Sequence, residues 1–223
     1  MLSKDIRTKG YVLRRTNFGE ADRILNIITP DGKISAIAKG VRKEKSKLAG
    51  GIEMFTLSDY SIHVGKGQFG VVTGAKMLKH YSGIVREYNR MELAAEIIKK
   101  INKATDHVDN EEFFRILDQS LNAIDESENL AIIEAWYNLR LKKAVGEEVN
   151  LYRDTAGEKL APDKKYSWDI QGMALREDNF GEYGANEIKM LRLMTANEYN
   201  VVKRVKIDDA TPQRILQLVR RVI

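Results

Sequence analysis

The sequence contains no cysteine among its 223 residues. Disulfide bonds, thiolate metal sites and cysteine nucleophiles are therefore all excluded. No apolar run reaches the roughly eighteen residues that a membrane-spanning helix needs. The first ten residues, MLSKDIRTKG, contain no apolar stretch of the kind that a secretory signal carries. From these absences we expect a cytoplasmic protein.

Residues that commonly carry catalysis are also scarce. The chain has three histidines, none at metal-ligand spacing from another, at His63, His80 and His107. Residues 65–72 match the glycine-rich pattern G-x-G-x-x-G-x-V, and Ala75-Lys76 follows it. No H-R-D or D-F-G sequence occurs downstream, and strand-like residues rather than a helix follow the glycines. A hairpin turn is the better interpretation, and an enzyme is the least favoured class.

One pair of carboxylates has the spacing that acid–base chemistry uses. Glu20 and Asp22 are two residues apart, so on a strand they would share a face. Arg14, Arg15 and Arg23 are close in sequence, however. We therefore interpret the two carboxylates as partners in ion pairs that shape a basic surface.

Positive charge is concentrated at the two ends of the chain. Residues 1–81 contain 15 Lys and Arg against 7 Asp and Glu, whereas residues 82–223 contain 22 against 25. Within the second part, residues 203–221 are basic again, with six Lys and Arg against Asp208 and Asp209. This asymmetry favours a polyanionic partner for the N-terminal part.

The N-terminal part has the pattern of β-strands. Thr29-Pro30-Asp31-Gly32 predicts a turn because proline presets φ and glycine tolerates positive φ, and Gly65-Lys66-Gly67 predicts another. Five short strands within about eighty residues favour a small closed barrel of the OB type. The predicted strands, which alternate between apolar and polar residues, are Tyr11–Thr16, Arg23–Thr29, Lys33–Lys39, Phe55–Val64 and Gln68–Met77.

Near residue 84 the hydrophobic period changes from two to 3.6, which predicts helices. We expect an α+β fold, with an OB-fold β-barrel in residues 1–81 and an all-helical domain in residues 82–223. Residues 147–183 show no hydrophobic periodicity, which predicts an irregular inserted lobe. Three of the predicted helices span residues 84–104, 129–145 and 187–194. Two more are predicted from their first residues: one begins after a cap at Asn110, and the last begins after a cap at Thr211, with Pro212 at its first position.

A basic loop follows the third predicted strand. It holds five positive charges, at Lys39, Arg42, Lys43, Lys45 and Lys47, against Glu44 alone. Lysine and arginine neutralise phosphates without reading sequence. Aromatic residues on the predicted strands are candidates for stacking on bases, although most must fill the barrel: Tyr11, Phe18, Phe55, Tyr60 and Phe69. These features predict a single-strand-binding module, and composition does not separate DNA from RNA.

The order of motifs in this region resembles the N-terminal domain of the RecO family of bacterial recombination mediators. The motifs are V-L-R-R, G-E-A-D-R-I-L, T-P-D-G-K-I-S-A-I-A-K-G-V-R-K, S-K-L and M-F-T-L, and all lie between residues 12 and 57. The resemblance implies an OB-fold followed by a helical domain. It also implies binding of single- and double-stranded DNA at the nucleoid, annealing of complementary strands, and partnership with RecR and the single-stranded DNA-binding protein. Such a mediator assists loading of the RecA recombinase and needs no cofactor.

On this basis we expect DNA to follow one face of the barrel. The residues expected to contact phosphates are Arg14, Arg15, Arg23, Lys33, Lys39, Arg42, Lys43, Lys45 and Lys47, extended by Lys203, Arg204 and Lys206 if the last helix packs beside the barrel.

The family resemblance also implies a groove in the helical domain for the acidic tail of the single-stranded DNA-binding protein. The third predicted helix offers an apolar face beside positive charge, with Trp136, Arg140, Lys142 and Lys143. An ordinary amphipathic helix explains the same residues equally well.

Many members of the family carry a four-cysteine zinc site in the inserted lobe. The matching positions here are Arg153, Ala156, Leu175 and Asp178, which cannot form a thiolate site. We therefore expect a zinc-finger-like lobe without metal. An apolar cluster is expected to hold it, made of Leu151, Tyr152, Tyr166, Trp168 and Phe180.

Two other classes of function remain open. One is an RNA-binding OB-fold accessory factor, which competition between single-stranded DNA and RNA would distinguish. The other is a protein–protein adaptor that kept the fold and lost nucleic-acid binding. Loss of the basic loop would mark such an adaptor, and this chain retains the loop.

Overall fold

In a computed structural model of the chain, residues 4–65, 67, 69–108, 110–126 and 129–223 are described. The chain divides into two compact units, Met1–Glu126 and Ser127–Ile223. The predicted domain boundary at 81/82 lies earlier than this division by packing, and it stays a prediction.

The described residues of the first unit form five strands, as predicted from the alternating pattern. They are β1 (Lys4–Phe18), β2 (Asp22–Thr29), β3 (Gly32–Ala38), β4 (Thr56–Val64) and β5 (Gly70–His80). They form a closed barrel in the order β1-β2-β3-β5-β4, and β4 also pairs with β1. Only the β3–β5 pair is parallel among these pairings.

Local chemistry explains the turn between β2 and β3. The hydroxyl of Thr29 donates to the carbonyl of Gly32 at 2.9 Å, and it accepts from the amide of Asp31 at 3.2 Å. Gly32 has a φ of 110°, which a residue with a side chain rarely adopts. The predicted turn is therefore confirmed. The predicted turn between β4 and β5 includes Lys66, which lies outside the described residues, as does Gln68.

The interior of the barrel is built by the inward-facing residues of every strand. The cluster consists of Val12, Leu25, Ile27, Ala36, Ala38, Val41, Ile52, Tyr60, Ile62 and Val72. Two of these residues, Val41 and Ile52, come from the segment between β3 and β4, so this segment is tied to the barrel core.

Three helices complete the first unit: α1 (Ser82–Arg86), α2 (Tyr88–Ala104) and α3 (Glu112–Asp125). The predicted single helix over 84–104 is wrong at its start, because Glu87 has an extended backbone with φ −129° and ψ 128°. The predicted cap at Asn110 is one residue early, because the residue at the N-cap position of α3 is Glu111, although the Asn110 side chain accepts the amide of Glu112 at 2.9 Å.

A buried polar network joins α3 to the barrel. The hydroxyl of Tyr11 donates to Asp118 Oδ1 at 2.6 Å and lies 2.6 Å from the hydroxyl of Tyr81. Burial raises the pKa of Tyr81 to about 12, so its hydroxyl keeps its proton at neutral pH. The helix is thus fixed to β1 by hydrogen bonds as well as by apolar packing.

The second unit is mainly helical, with α4 (Leu130–Ala144), α5 (Ala185–Ala196), α6 (Tyr199–Val202) and α7 (Thr211–Val222). Asn129 caps α4 by accepting the amides of Ala131 and Ile132. The predicted cap at Thr211 is wrong, because Thr211 is already helical and its amide donates to Asp208 Oδ1 at 2.9 Å. The short helix α6 was not predicted.

The inserted lobe contains a β-hairpin of β6 (Tyr166–Asp169) and β7 (Ala174–Glu177), so the C-terminal part is not all-helical. Leu151, Tyr166 and Leu175 are buried in the lobe. The predicted apolar cluster is wrong for Tyr152 and Phe180, which are 59% and 96% exposed.

Two turns of the inserted lobe are held by aspartate side chains, near the positions that the sequence analysis matched to the family's zinc-site cysteines. Asp154 Oδ1 accepts the amides of Ala156 and Glu158, both at 2.9 Å. Asp178 accepts the hydroxyl of Ser167 and the amide of Phe180, and these bonds lower the pKa of the Asp178 carboxyl. Hydrogen bonds and the buried Leu175 thus hold this lobe.

Within the described residues, no helix combines the length and the apolar character that crossing a bilayer requires.

Candidate nucleic-acid interface

The basic loop, residues 39–47, and the segment that follows it are attached to the barrel by apolar side chains. Val41 is 4% exposed, and Ile52 is fully buried. Leu48 packs against the same core cluster. The hydroxyl of Tyr60 donates to the carbonyl of Gly51 at 2.9 Å, which fixes the short 3₁₀ helix Ala49–Ile52. Because the apolar residues face inward, the charged residues between them face solvent.

Hydrogen bonds tie the start of the loop to the β1–β2 hairpin. Asp22 Oδ1 accepts the amide of Gly40 at 2.7 Å, and the carbonyl of Ala21 accepts the amide of Arg42 at 2.9 Å. The guanidinium of Arg42 also reaches the carbonyl of Gly19 at 3.4 Å. Gly40 has a φ of 63°, the left-handed conformation that glycine adopts without strain. The sequence motifs around residues 19–23 and 38–42 therefore form one structural unit.

The loop itself is a series of tight turns. The amide of Lys43 donates to the carbonyl of Gly40 at 3.1 Å, and that of Ser46 donates to the carbonyl of Lys43 at 3.0 Å. Five exposed cations line it, and among the described residues no ion pair is recorded for any of them: Lys39, Arg42, Lys43, Lys45 and Lys47. The backbone of the loop is ordered by these hydrogen bonds, and its exposed cations can neutralise the phosphates of a nucleic acid.

Three of the other predicted contact residues already have protein partners. Arg15 pairs with Glu53 at 2.7 Å, and Arg23 donates to the side chain of Asn17 at 3.3 Å. Lys33 forms an ion pair with Asp106, and this contact is the main cause that lowers the pKa of Asp106.

Arg14 is exposed on β1, and it contributes to the same lowered pKa of Asp106 through its positive charge. The barrel thus presents two kinds of cation. The cations of the basic loop are exposed to solvent, whereas the charges of Lys33 and Arg14 act on Asp106, just beyond the C-terminal end of α2.

The interpretation of Glu20 and Asp22 as ion-pair partners of the nearby Arg14, Arg15 and Arg23 is wrong for Asp22. Its carboxylate binds the backbone amide of Gly40 instead. Asp22 therefore positions the basic loop, a role that depends on a residue eighteen positions later in the chain.

The aromatic residues of the barrel separate into buried and exposed groups. Tyr11 and Tyr60 are buried, so they cannot stack on bases. Phe55 and Phe69 are partly buried. Phe18 is 50% exposed at the end of β1, beside Gly19 and the basic loop.

The described residues contain no group of three or more His, Asp or Glu side chains that could hold a metal ion. His63 Nδ1 lies 2.7 Å from Asp5 Oδ1, which satisfies that ring on the surface of β4 and β1.

The remaining predicted phosphate contacts belong to the second unit. Lys203, Arg204 and Lys206 are exposed at the end of α6 and in the segment that follows it. Their role in DNA binding stays a prediction.

The residues predicted to receive an acidic tail lie on α4. Trp136 is fully buried and its indole N–H donates to the carbonyl of Asn197 at 2.9 Å. Arg140 is buried and donates to the carbonyl of Thr195. Lys142 and Lys143 form ion pairs with Glu147 and Glu148, at 2.7 and 3.4 Å.

A groove that the sequence did not reveal lies between α5 and α7. It has a volume of about 620 Å³, and its lining includes the apolar residues Met190 and Ile215, the cations Lys189 and Lys206, and the carboxylate of Asp208. Arg214 also lines it and pairs with Glu187 at 3.2 Å. Its residues come from two helices and a loop, so periodicity within one helix could not predict it.

Comparison with known proteins gives consistent matches along the chain. The family described as "Recombination protein O N terminal" matches residues 1–81, and the one described as "Recombination protein O C terminal" matches residues 89–223. The "DNA repair protein RecO" of Dehalococcoides mccartyi strain CBDB1 is 30% identical over 216 residues, which cover 92% of this chain and 83% of that protein. The protein of that name from Roseiflexus sp. strain RS-1 is 27% identical over 230 residues, or 99% of this chain and 80% of its own length.

Proposed function

Because the chain belongs to the RecO family, we propose that it acts in recombinational DNA repair as a DNA-binding mediator rather than as an enzyme. It would bind single- and double-stranded DNA through an OB-fold barrel, anneal complementary strands, and assist loading of a recombinase on coated single strands. Its place of action would be the nucleoid in the bacterial cytoplasm. The relatives' shared name, DNA repair protein RecO, supports the repair role.

The observation that carries this proposal is the ordered basic loop. Its cations are exposed, whereas its backbone is fixed by Asp22 and its apolar anchor Val41 is buried in the barrel core. A disordered basic segment would lose more conformational entropy on binding, so an ordered loop favours association. Exposed cations on an ordered loop are an arrangement suited to phosphate contacts.

Annealing sets a particular requirement on such a surface. Two strands must be brought together with reduced charge repulsion, and neither strand may be held so tightly that pairing is prevented. Lysine and arginine contacts to phosphates are sequence-independent and exchange with salt. The basic loop of this chain therefore supports annealing better than a surface of base-specific side chains would.

The proposed partners are DNA, RecR, the acidic tail of the single-stranded DNA-binding protein and, indirectly, RecA. We propose the groove between α5 and α7 as the site for the acidic tail, because its apolar lining residues and the cations Lys189 and Lys206 complement a negatively charged peptide. The α4 residues remain the alternative site. Trp136 there would have to leave the core before it could contact a peptide.

A titration of labelled single-stranded DNA, followed by fluorescence anisotropy, tests the proposal. Binding should weaken steeply as salt rises, and unlabelled RNA of the same sequence should not displace the DNA at lower concentration than unlabelled DNA does. Displacement by RNA at about one tenth of the DNA concentration would favour an RNA-binding accessory factor. No binding to either nucleic acid would favour a protein–protein adaptor.

A further inference from the structure

Phe18 is an exposed aromatic residue on the part of the barrel that carries the basic loop. Its side chain is 50% exposed. Among the described residues from position 4 to position 64, no other large hydrophobic side chain is exposed to solvent to a similar extent. Single exposed hydrophobic residues are common on protein surfaces, so its exposure alone indicates nothing. Its position is what makes it informative.

Phe18 lies at the point where the β1–β2 hairpin meets the basic loop. It pairs with Asp22 across the hairpin, and the carboxylate of Asp22 holds the amide of Gly40. The next residue, Gly19, accepts a hydrogen bond from the guanidinium of Arg42. Hydrogen bonds therefore hold the backbone next to Phe18, and one cation of the loop, Arg42, is connected to the adjacent Gly19 by its side chain.

Nucleic-acid chemistry gives such a ring a specific use. A base in single-stranded DNA presents a free π-face, on which an aromatic ring can stack whatever the sequence. In a duplex both faces of each base are already stacked, so the ring has no access without unstacking. A ring beside phosphate-binding cations thus distinguishes single strands from duplex.

We propose that Phe18 stacks on an unpaired base of single-stranded DNA whose phosphates contact the basic loop. This inference rests on the proposed DNA-binding function and deepens it by naming a residue that gives preference for single strands. The cations provide affinity for both forms of DNA, and Phe18 adds affinity for one.

The test compares three variants by anisotropy on a single-stranded oligonucleotide and on its duplex. Phe18→Ala should lower the affinity for the single strand about tenfold and for the duplex less than about twofold. Phe18→Tyr, which keeps the ring, should bind both as the unchanged protein does. Leu78→Ala is the matched control, because Leu78 is 52% exposed on β5 of the same unit.

The salt dependence separates this inference from the proposed function. Phe18→Ala removes no charge, so its plot of log affinity against log salt should shift without a change of slope. An unchanged single-strand affinity, or an equal loss for single strand and duplex, would overturn the stacking role while leaving DNA binding established. Failure of the unchanged protein to bind DNA would overturn both.

If Phe18 contacted a protein partner and not a base, Phe18→Ala would leave DNA affinity unchanged, and a pull-down with RecR or the single-stranded DNA-binding protein would show the loss of partner binding. A variant that loses partner binding and keeps DNA affinity contradicts stacking.

Discussion

Replacing four cations of the basic loop by alanine should reduce the salt dependence of DNA binding by a calculable amount. The variant changes Arg42, Lys43, Lys45 and Lys47 together. All four side chains are exposed, and the apolar anchor Val41 is untouched, so the fold should be retained. Surface changes of this kind usually alter the free energy of unfolding by less than about 0.5 kcal/mol each.

The magnitude follows from counterion release. For single strands, each neutralised phosphate contributes roughly −0.7 to the slope of log affinity against log salt. If each of the four cations contacts one phosphate, the variant's slope should be shallower by roughly 2.8. Between 50 and 200 mM salt the unchanged protein should then lose about 50-fold more affinity than the variant does.

Fluorescence anisotropy titrations at four or five salt concentrations measure both slopes. The matched control replaces four exposed lysines outside the loop by alanine, Lys99, Lys103, Lys159 and Lys165. Both variants remove four positive charges from a net charge of +5, so any difference between them reports position and not total charge. Equal slopes for the two variants would refute the assignment of the loop as the phosphate-binding surface.

Four further outcomes are expected, from the contacts that hold the fold and the loop and from the composition of the inserted lobe. Asp22→Ala removes the acceptor of the Gly40 amide, so the free energy of unfolding should fall by about 1–2 kcal/mol in a urea titration, whereas Asp22→Asn should keep most of it. Tyr11→Phe deprives Asp118 of its donor and should cost about 1–3 kcal/mol in the same titration, with DNA affinity unchanged. Leu175→Ala should destabilise the protein by about 2–5 kcal/mol, because the Leu175 side chain is fully buried in the inserted lobe. Elemental analysis should find no stoichiometric zinc, and a chelator should leave the melting temperature unchanged; zinc at one atom per chain would contradict this reading of the lobe.

The features predicted correctly from sequence depend on neighbours along the chain. The turn at 29–32 is determined by its own residues, with the Thr29 hydroxyl accepting the amide of Asp31 and Gly32 at positive φ, and the helix predicted over 129–145 is found as α4. The five strands and the exposure of the basic loop also follow from local patterns of apolar and charged residues. The family assignment depended on the order of such local motifs.

The features that were missed depend on residues far apart in sequence. Lys33 forms an ion pair with Asp106, 73 positions later, and no local pattern indicates that the end of α2 brings the two residues together. The burial of Trp136 depends on Asn197, 61 positions away. Periodicity places a residue on a face, but it does not say which element will cover that face.

The sequence did not show whether Phe18 faces solvent, for a related reason. Alternation predicts that residues 12, 14 and 16 of a strand share a face, but β1 shifts its register between Val12 and Arg14. A β-bulge of this kind moves later side chains to the other face. Sequence could name five aromatic candidates, whereas only the paired register shows which of them reaches solvent beside the basic loop.

Annealing of complementary oligonucleotides coated with the single-stranded DNA-binding protein tests the mediator role most directly. Loss of single strands is followed over time with the unchanged protein, the four-residue loop variant and the four-lysine control. The unchanged protein and the control should both accelerate annealing, and the loop variant should anneal at close to the rate without protein. No acceleration by the unchanged protein, or a loop variant as active as the control, would contradict the proposal that this basic loop brings DNA strands together.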